Sequence, residues 1–312
     1  MLRDLRRADG PAFFDVMERG FPEESVLLGN RPEEFQRIFE RVFRWDTRVL
    51  LGLLRMVGRP VVRALVVEVE GHLVATTLVT FPSGCAYVSN VVVDAAHRRK
   101  GYARLLLEEA RRSARRARRP YLALDVLEKN TAARALYESL GYRFLKARYD
   151  LLNDTLASFA GGAPAVPGIR PFLRSDVPAL VALARRQTSP EVEKVLPTRK
   201  DRFLEAGVVT RMLGSEATAW VVDRGHGPEA HVSASVSRAS EAAYLGAPTL
   251  AETVDPSLAE ALVRTATAWC VRRGAPRVLT MVGEDNPRGR AALEATGFHD
   301  ARALWTLYRP VD

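Results

Sequence analysis

The chain has 312 residues, 47% of them hydrophobic, which is enough for two ordinary globular domains. The charged start MLRDLRRADG, and apolar runs too short to span a bilayer, lead us to expect neither a secretory signal nor a membrane segment. The formal net charge is +9, which leads us to expect an anionic ligand. Cys85 and Cys270 lack the spacing of a disulfide framework or a zinc site, so we expect a cytoplasmic protein.

The first elements in chain order are a helix and three strands. The stretch RPEEFQRIFERVF predicts a helix with an apolar stripe. The apolar residues that follow it could wall a pocket or pack on a sheet: Trp45, Leu50, Leu53 and Met56. RALVVEVEG and HLVATTLVTF predict two strands joined by a turn at Glu70-Gly71-His72, and CAYVSNVVVD predicts a third strand.

Two helices and two strands complete this half of the sequence. Residues 101–116 predict a helix whose inward face holds Tyr102, Leu105, Leu106, Ala110 and Ala114. YLALDVL predicts a strand, and Asn130 can cap a second helix that ends at Gly141, before a last strand. The order β-β-β-α-β-α-β, after one or two helices, predicts an α/β (α+β) fold.

The second half of the sequence repeats the first. RRPYLALDVLEKNTAARALYESLGY aligns with GAPRVLTMVGEDNPRGRAALEATGF at a constant offset of 156, and LRDLRRADGPAF aligns with IRPFLRSDVPAL at an offset of 167. Between the copies, ASFAGGAPAVPG has the composition of a linker. We therefore predict two domains, residues 1–156 and 169–312, joined by a linker at 157–168.

Positive charge is concentrated at the start of one predicted helix, in the stretch HRRKGYARLL. Arg98, Arg99 and Lys100 precede Gly101, and a helix N-terminus already offers free N–H donors and a favourable dipole. This arrangement favours a phosphate ligand. Only five of the 46 basic residues are lysine, so codon usage that favours arginine explains the basic run at 111–119 equally well.

The order of the strand VSNVVVD, the loop RRKGYA, a helix and then EKNTAARALYESLGY resembles the acetyl-CoA core of the GCN5-related N-acetyltransferase (GNAT) superfamily. The three fixed positions of that family's phosphate loop are filled by Arg98, Gly101 and Ala103. The resemblance covers residues 1–150 and, more loosely, 169–312. It implies two tandem GNAT-like domains, each with a mixed, mostly antiparallel central sheet flanked by helices.

The resemblance also implies acetyl-CoA as acyl donor, no metal, and a set of site residues. Tyr137 matches a tyrosine that protonates the departing thiolate, although its place on an apolar helix face also fits a core residue. Asn130 matches a CoA-contacting asparagine, with helix capping as its alternative role. The predicted cofactor-binding residues are Val91, Val92, Val93, Arg98, Arg99, Lys100, Gly101, Tyr102, Ala103, Arg104 and Asn130.

A general base cannot be assigned from the sequence. Glu68 and Glu70 are the nearest acidic candidates, but both fit a solvent-facing side of a strand. A water relay through Ser89 or Asn90, or a substrate that is already neutral, would serve instead.

The second copy has lost the features of the phosphate loop. At the offset of 156, Arg98-Arg99-Lys100-Gly101 becomes Val254-Asp255-Pro256-Ser257, and Tyr137 becomes Leu293. An aspartate would repel a diphosphate and a proline removes an N–H donor. We expect this copy to keep the fold without binding acetyl-CoA, and to pack on the first copy or shape its acceptor cleft.

The sequence thus predicts an acyl-CoA-dependent N-acyltransferase that acetylates a primary amine, on a small molecule or a peptide, by direct attack. A mycothiol-synthase-like tandem acetyltransferase and a non-catalytic acyl-CoA sensor or scaffold remain alternatives. We expect a monomer or a homodimer, with neither a membrane nor a nucleic acid as partner.

Overall fold

The computed structural model describes residues 1–21, 40, 62–162, 165–203, 215–237 and 240–311. The helix predicted over 31–43, apart from residue 40, lies outside these ranges, and so do the four apolar residues proposed as a pocket wall: Trp45, Leu50, Leu53 and Met56. Among the described residues, no helix is both long enough and apolar enough to cross a membrane.

The first repeat contains the elements predicted for it between residues 62 and 153. Its elements are β1 (Leu2–Asp4), α1 (Gly10–Gly20), β2 (Val62–Val69), β3 (His72–Thr80), β4 (Cys85–Val93), α2 (Tyr102–Arg116), β5 (Tyr121–Leu127), α3 (Thr131–Ser139) and β6 (Arg143–Asn153). The turn between β2 and β3 falls on Glu70 and Gly71, both with positive φ, as the glycine in that stretch predicts.

The second repeat follows the same order of elements, with one short helix and one short strand in addition. They are β7 (Ile169–Pro171), α4 (Val177–Gln187), α5 (Pro190–Val195), β8 (Ser215–Asp223), β9 (Pro228–Ser237), β10 (Ala242–Gly246), β11 (Thr249–Leu250), α6 (Pro256–Val271), β12 (Arg277–Gly283), α7 (Pro287–Glu294) and β13 (His299–Pro310).

Both repeats begin with the same ion pair. Arg3 contacts Asp9 at 2.6 Å, and Arg170 contacts Asp176 at 2.8 Å, at positions that the sequence alignment matched. Each aspartate also accepts a backbone N–H at the start of the first helical turn, from Arg6 at 2.6 Å and Leu173 at 2.8 Å. The matched residues are therefore helix-start anchors.

The described strands form one sheet rather than two. Their order is β1-β2-β3-β4-β5-β13-β6-β12-β10-β9-β8-β7, with β11 paired to β9. The pairs β4–β5 and β10–β12 are parallel, and the other pairs are antiparallel. This confirms the mixed, mostly antiparallel sheet flanked by helices.

The two repeats exchange their last strands at the centre of this sheet. β13 pairs with β5 from Leu304 opposite Leu127 to Pro310 opposite Tyr121, and it also pairs with β6. β6 in turn pairs with β12 of the second repeat. Each last strand therefore lies in the other repeat's half of the sheet, and the two repeats share one sheet. The division of the chain into domains at 1–156 and 169–312, with a linker at 157–168, stays a prediction.

Helix α2 shows one error in the predicted inward face. Leu106, Ala110 and Ala114 are buried as expected, but Leu105 is 40% exposed and Leu107 is buried in its place. Residues four apart lie one above another on a helix, and the stripe through Leu106 and Ala110 lies about 100° from Leu105. The apolar sequence run LLL does not by itself indicate which leucine faces the core.

Candidate functional site

The sheet of the first repeat opens between β4 and β5. These strands pair in parallel from Cys85 opposite Tyr121 to Val88 opposite Leu124, and the pairing stops there although both strands continue. Just beyond this point β4 changes register with β3, and Asn90 has a φ of 56°. A bulge of this kind bends its strand, so β4 turns away from β5 and leaves backbone groups without a strand partner on that side.

A cavity of about 660 Å³ lies at this opening. Its wall is made by the ends of the two strands, by α3 and by residues of the second repeat. The residues of this wall include Ser89, Asn90, Val91, Asp125, Val126, Asn130, Tyr137, Arg148, Arg302 and Leu304. The predicted Val91, Asn130 and Tyr137 thus line one cavity.

Helix α2, which packs on β4, begins with an unusual backbone. None of the predicted residues 98–104 is among the residues that line the cavity. Gly101, immediately before its first residue, has a φ of +83° and no atom within 4 Å of the position a Cβ would take. The left-handed conformation, rather than crowding within the chain, is therefore what favours glycine there. The first intrahelical acceptor is the Gly101 carbonyl, bonded by the N–H of Leu105 at 3.0 Å.

The amides of Tyr102, Ala103 and Arg104 precede that first bond, so helix geometry leaves them without an intrahelical acceptor. The side chains of Arg98, Arg99 and Lys100 are exposed at the same helix start. Amides without an intrahelical acceptor, a helix dipole and a basic rim are features that favour an anion.

Three of the predicted residues, Arg98, Arg104 and Val92, also have side-chain contacts within the chain. Arg98 donates from Nε to the Val93 carbonyl at 3.3 Å, and Arg104 donates from Nη2 to Ser139 Oγ at 3.1 Å, which joins α2 to α3. Val92 is buried, and a Cβ added to Gly20 would collide with its side chain, so β4 also receives the end of α1. Their roles toward a ligand stay predictions.

Asn130 is the N-cap of α3, since its Oδ1 accepts the Ala133 N–H at 3.1 Å. This is the alternative role that the sequence left open. The residue also lines the cavity, so the cap does not remove it from the site.

Tyr137 points from α3 into the cavity and is 6% exposed. Its ring packs on that of Tyr142, with centroids 5.7 Å apart. Burial raises the pKa of Tyr137 to about 12, because the charged phenolate loses solvation. The phenol is therefore protonated near neutral pH and can donate its proton.

The face of β5 that carries Asp125 holds a charged network, which was not predicted from the sequence. Asp125 accepts a hydrogen bond from Thr306 Oγ1 at 2.7 Å, and it forms an ion pair with Arg148. The buried Asp150 contacts Arg302 Nε at 2.6 Å and Arg148 Nε at 3.5 Å. Alternating charges at 146, 148 and 150 in the strand RFLKARYDLLN were the signal for a polar face.

Tyr87 belongs to the same network, since its hydroxyl bonds to Asp125. Burial, and then the neighbouring carboxylate, raise the pKa of Tyr87 well above its ordinary value. Tyr87 is therefore a hydrogen-bond donor and not a base.

Neither acidic residue weighed as a base lies in the cavity wall. Glu68 is held by Arg3, whose Nε lies 2.8 Å from Glu68 Oε2, and Glu70 sits in the β2–β3 turn. Ser89 and Asn90, the residues considered for a water relay, do line the cavity. Within the described ranges no cluster of His, Cys, Asp and Glu could hold a metal ion.

The corresponding region of the second repeat is closed. β10 stays paired with β12 to its last residue, Gly246 opposite Met281. Asn286 Nδ2 donates to the Pro248 carbonyl at 2.7 Å, so the start of α7 is bonded to the segment after β10.

The loop before α6 is closed in the same way. Arg288 donates to the carbonyls of Ala251 and Val254. Helix α6 begins at Pro256 after Asp255, two residues earlier than the offset of 156 places it. An aspartate and a proline at the helix start, and a loop tied by Arg288, do not fit a diphosphate.

Leu293 is fully buried at the position that matches Tyr137. Among its described residues, the second repeat therefore has neither an opening like that of the first repeat nor a phenol at this position.

Comparison with known proteins agrees with this geometry. Residues 22–142 match the family described as "Acetyltransferase (GNAT) family". A comparison with curated proteins gives no match.

Two solved structures are similar along the whole chain. One is a tandem GNAT protein from the clavulanic acid biosynthesis pathway, with 19% identity, a TM-score of 0.67, and coverage of 100% of this chain and 98% of that one. The other is a GCN5-related N-acetyltransferase from Sphaerobacter thermophilus, with 15% identity, a TM-score of 0.65, and coverage of 100% and 95%. The chain therefore has the fold of tandem GNAT proteins, and its residues 22–142 match the GNAT acetyltransferase family.

Proposed function

We propose that this protein is an acetyl-CoA-dependent N-acetyltransferase with one working site, in the first repeat. The observation that carries the proposal is the opening between β4 and β5, together with the N-terminus of α2, the helix that follows β4 and packs on it. An acyl-CoA needs both features, because its thioester must enter the sheet while its diphosphate needs converging N–H donors. The second repeat offers neither feature among its described residues.

The chain's own groups have distinct parts in donor binding. The amides of Tyr102, Ala103 and Arg104 would hold the diphosphate, and Arg98, Arg99 and Lys100 would add positive charge at its rim. The backbone of Val91–Val93 borders the opening, where it can pair with the amide groups of a pantetheine arm. Asn130 lies at the other wall.

Acetyl-CoA supplies an activated thioester to the reaction. A backbone N–H of β4 beyond the bulge would stabilise the negative charge that develops on the carbonyl oxygen. As the amine nitrogen bonds to the carbonyl carbon and the C–S bond breaks, Tyr137, protonated and in the cavity wall, would donate a proton to the departing thiolate. The proton that the amine nitrogen loses would pass to solvent and restore the phenol.

Direct attack by the amine is favoured over a cysteine intermediate. Both cysteines are buried free thiols. Burial raises the pKa of Cys85 to about 11 and that of Cys270 to about 12, so neither is a thiolate near neutral pH.

The second repeat would shape the acceptor side of the site. Arg302 and Leu304, in the exchanged strand β13, line the cavity. Val192 and Val195 of α5 pack against Ala123, which lies on the Asp125 side of β5.

The test is release of free CoA from acetyl-CoA by the full chain, measured with a panel of primary amines. The proposal predicts that acetyl-CoA binds and that at least one amine accelerates CoA release above the rate without amine. Binding without any accelerated release would instead support an acyl-CoA sensor, and absence of binding would exclude both functions.

A further inference from the structure

We propose that a second cavity, between the two repeats, binds a small carboxylic acid through Arg202. Among the described residues, none lines both this cavity and the one at the opening between β4 and β5. The second cavity is therefore a separate site. Binding there goes beyond the proposed acetyltransferase function and does not depend on it.

The second cavity has a volume of about 430 Å³, which is large enough for a small molecule. Lys146, on β6 of the first repeat, lines it. The second repeat supplies most of the remaining wall, through Val192 of α5, residues 196–199 and Arg202. The cavity is thus a junction between the repeats, and ligand sites often lie at such junctions.

Arg202 brings to this wall a positive charge that has no ion pair with a described residue. Its guanidinium group makes no hydrogen bond with a described residue either, and its Cζ atom lies 5.7 Å from the centre of the Phe203 ring. Contact with one ring leaves N–H donors available, because a guanidinium group carries several of them. The side chain is exposed, so a ligand can reach these donors.

The surroundings of Arg202 are short of negative charge. The surrounding chain displaces solvent from the guanidinium group and lowers the pKa of Arg202, and the attraction of Asp285 and Glu193 does not offset this effect. Asp285 pairs with Lys146 at 3.3 Å, and Glu193 pairs with Arg185 at 3.2 Å. An anionic ligand would supply the charge that these two carboxylates do not.

The wall also indicates which kind of anion fits. Arg199 lines the cavity too, but it donates to Ser83 Oγ at 2.8 Å, and the site needs only the charge of Arg202. One such guanidinium group matches a singly charged carboxylate better than a phosphate group, which carries a charge of about −1.5 to −2 near neutral pH. Apolar side chains of the same wall favour a ligand with a hydrocarbon body: Val192, Leu196 and Pro197.

The experiment titrates the full chain with sodium hexanoate in a calorimeter at constant ionic strength, and repeats the titration with hexanamide and with inorganic phosphate. Hexanamide keeps the size and the planar head group of hexanoate but carries no charge. We expect a dissociation constant on the order of 1 mM for hexanoate. Hexanamide should bind about tenfold more weakly, since charge-assisted hydrogen bonds are the stronger ones. Phosphate should also bind more weakly, because it has no hydrocarbon body.

Variants assign the binding to this cavity. Arg202→Gln should weaken hexanoate binding about tenfold, and Arg202→Lys should keep part of the affinity. Arg186→Gln is the matched control, because Arg186 is exposed on α4 and does not line the cavity, and its affinity should stay unchanged. Leu196→Ala keeps the charge and should weaken hexanoate binding about threefold while acetate binding is unchanged, which preserves the test if Arg202→Gln unfolds.

The contrary outcomes are equally definite. Absence of hexanoate binding, equal binding of hexanamide, or a hexanoate affinity that is unchanged in Arg202→Gln would overturn the proposal. Phosphate that binds more tightly than hexanoate, and is lost in Arg202→Gln, would overturn the choice of a carboxylic acid. No titration contains acetyl-CoA, so none of these results bears on the proposed acetyltransferase function.

Discussion

Asn286 donates a hydrogen bond from Nδ2 to the carbonyl oxygen of Pro248 at 2.7 Å, which joins the start of α7 to the segment after β10. Asn286 also caps its own helix, as does the matching residue of the first repeat, Asn130, but Asn130 lines an open cavity. An asparagine at the same helix start thus lines a cavity in the first repeat, whereas in the second repeat it is bonded to the neighbouring segment.

Gly101→Val is expected to weaken acetyl-CoA binding by about tenfold or more. A β-branched residue at a φ of +83° is strained by about 1–2 kcal/mol, so the loop would shift and move the amides after it. Gly71→Val is the matched control: Gly71 has a φ of +80°, an equally open Cβ position and a place outside the cavity. Equal affinities for the two variants, measured by calorimetry, would contradict the role of Gly101.

Tyr137→Phe is expected to lower kcat by about a hundredfold while the affinity for acetyl-CoA stays unchanged, because the variant loses only the proton donor. Tyr142→Phe removes the hydroxyl of the neighbouring ring, which does not line the cavity, and should leave kcat unchanged. Steady-state rates with any accepted amine provide the comparison. An unchanged rate for Tyr137→Phe would remove Tyr137 from the mechanism.

The pKa of about 12 also predicts a pH profile. The neutral phenol is the donor, and it is lost only as the pH rises through that value. Tyr137 should therefore cause no fall in kcat between about pH 7 and 10. A fall in this range that disappears in Tyr137→Phe would show that the phenol ionises earlier than its burial implies.

Arg288→Ala is expected to destabilise the chain by about 2 kcal/mol, because two loop carbonyls, one of them on the buried Val254, lose their donors. Urea unfolding measures this change. Arg290→Ala, which removes partly exposed ion pairs, should cost less than about 1 kcal/mol. Neither variant should gain a second acetyl-CoA site, since Asp255 and Pro256 remain.

Stability is expected to fall in acid through the paired helix-start aspartates. Hydrogen bonds from Arg3 and Arg170 lower the pKa values of Asp9 and Asp176. A lowered folded-state pKa gives stability that is complete above the usual value of about 4 and is lost as the pH falls below it. Thermal unfolding from about pH 7 to 3 should show a weaker dependence in Asp9→Asn/Asp176→Asn than in the native chain. The same slope in both would contradict this assignment.

The local structure of each repeat was predictable from short-range patterns. Alternation of apolar residues located β2 to β5, and Gly101 and Asn130 located the starts of α2 and α3. The offset of 167 matched Asp9 with Asp176, and in the structure both aspartates make the same ion pair with an arginine. These features depend on residues close together in the chain.

The strand exchange was not predictable in this way. β6 and β13 have similar alternation, so the sequence does not say which of the two lies beside β5. The contact between Arg302 and Asp150, 152 residues apart, depends on that choice. The acceptor side therefore became visible only from the long-range pairing of strands.

The central claim is that the first repeat alone binds the acyl donor. Isothermal titration of acetyl-CoA into the full chain measures this most directly. The account predicts one acetyl-CoA per chain and loss of most of the affinity in Gly101→Val. Two molecules per chain, or one whose affinity is indifferent to Gly101→Val, would contradict it.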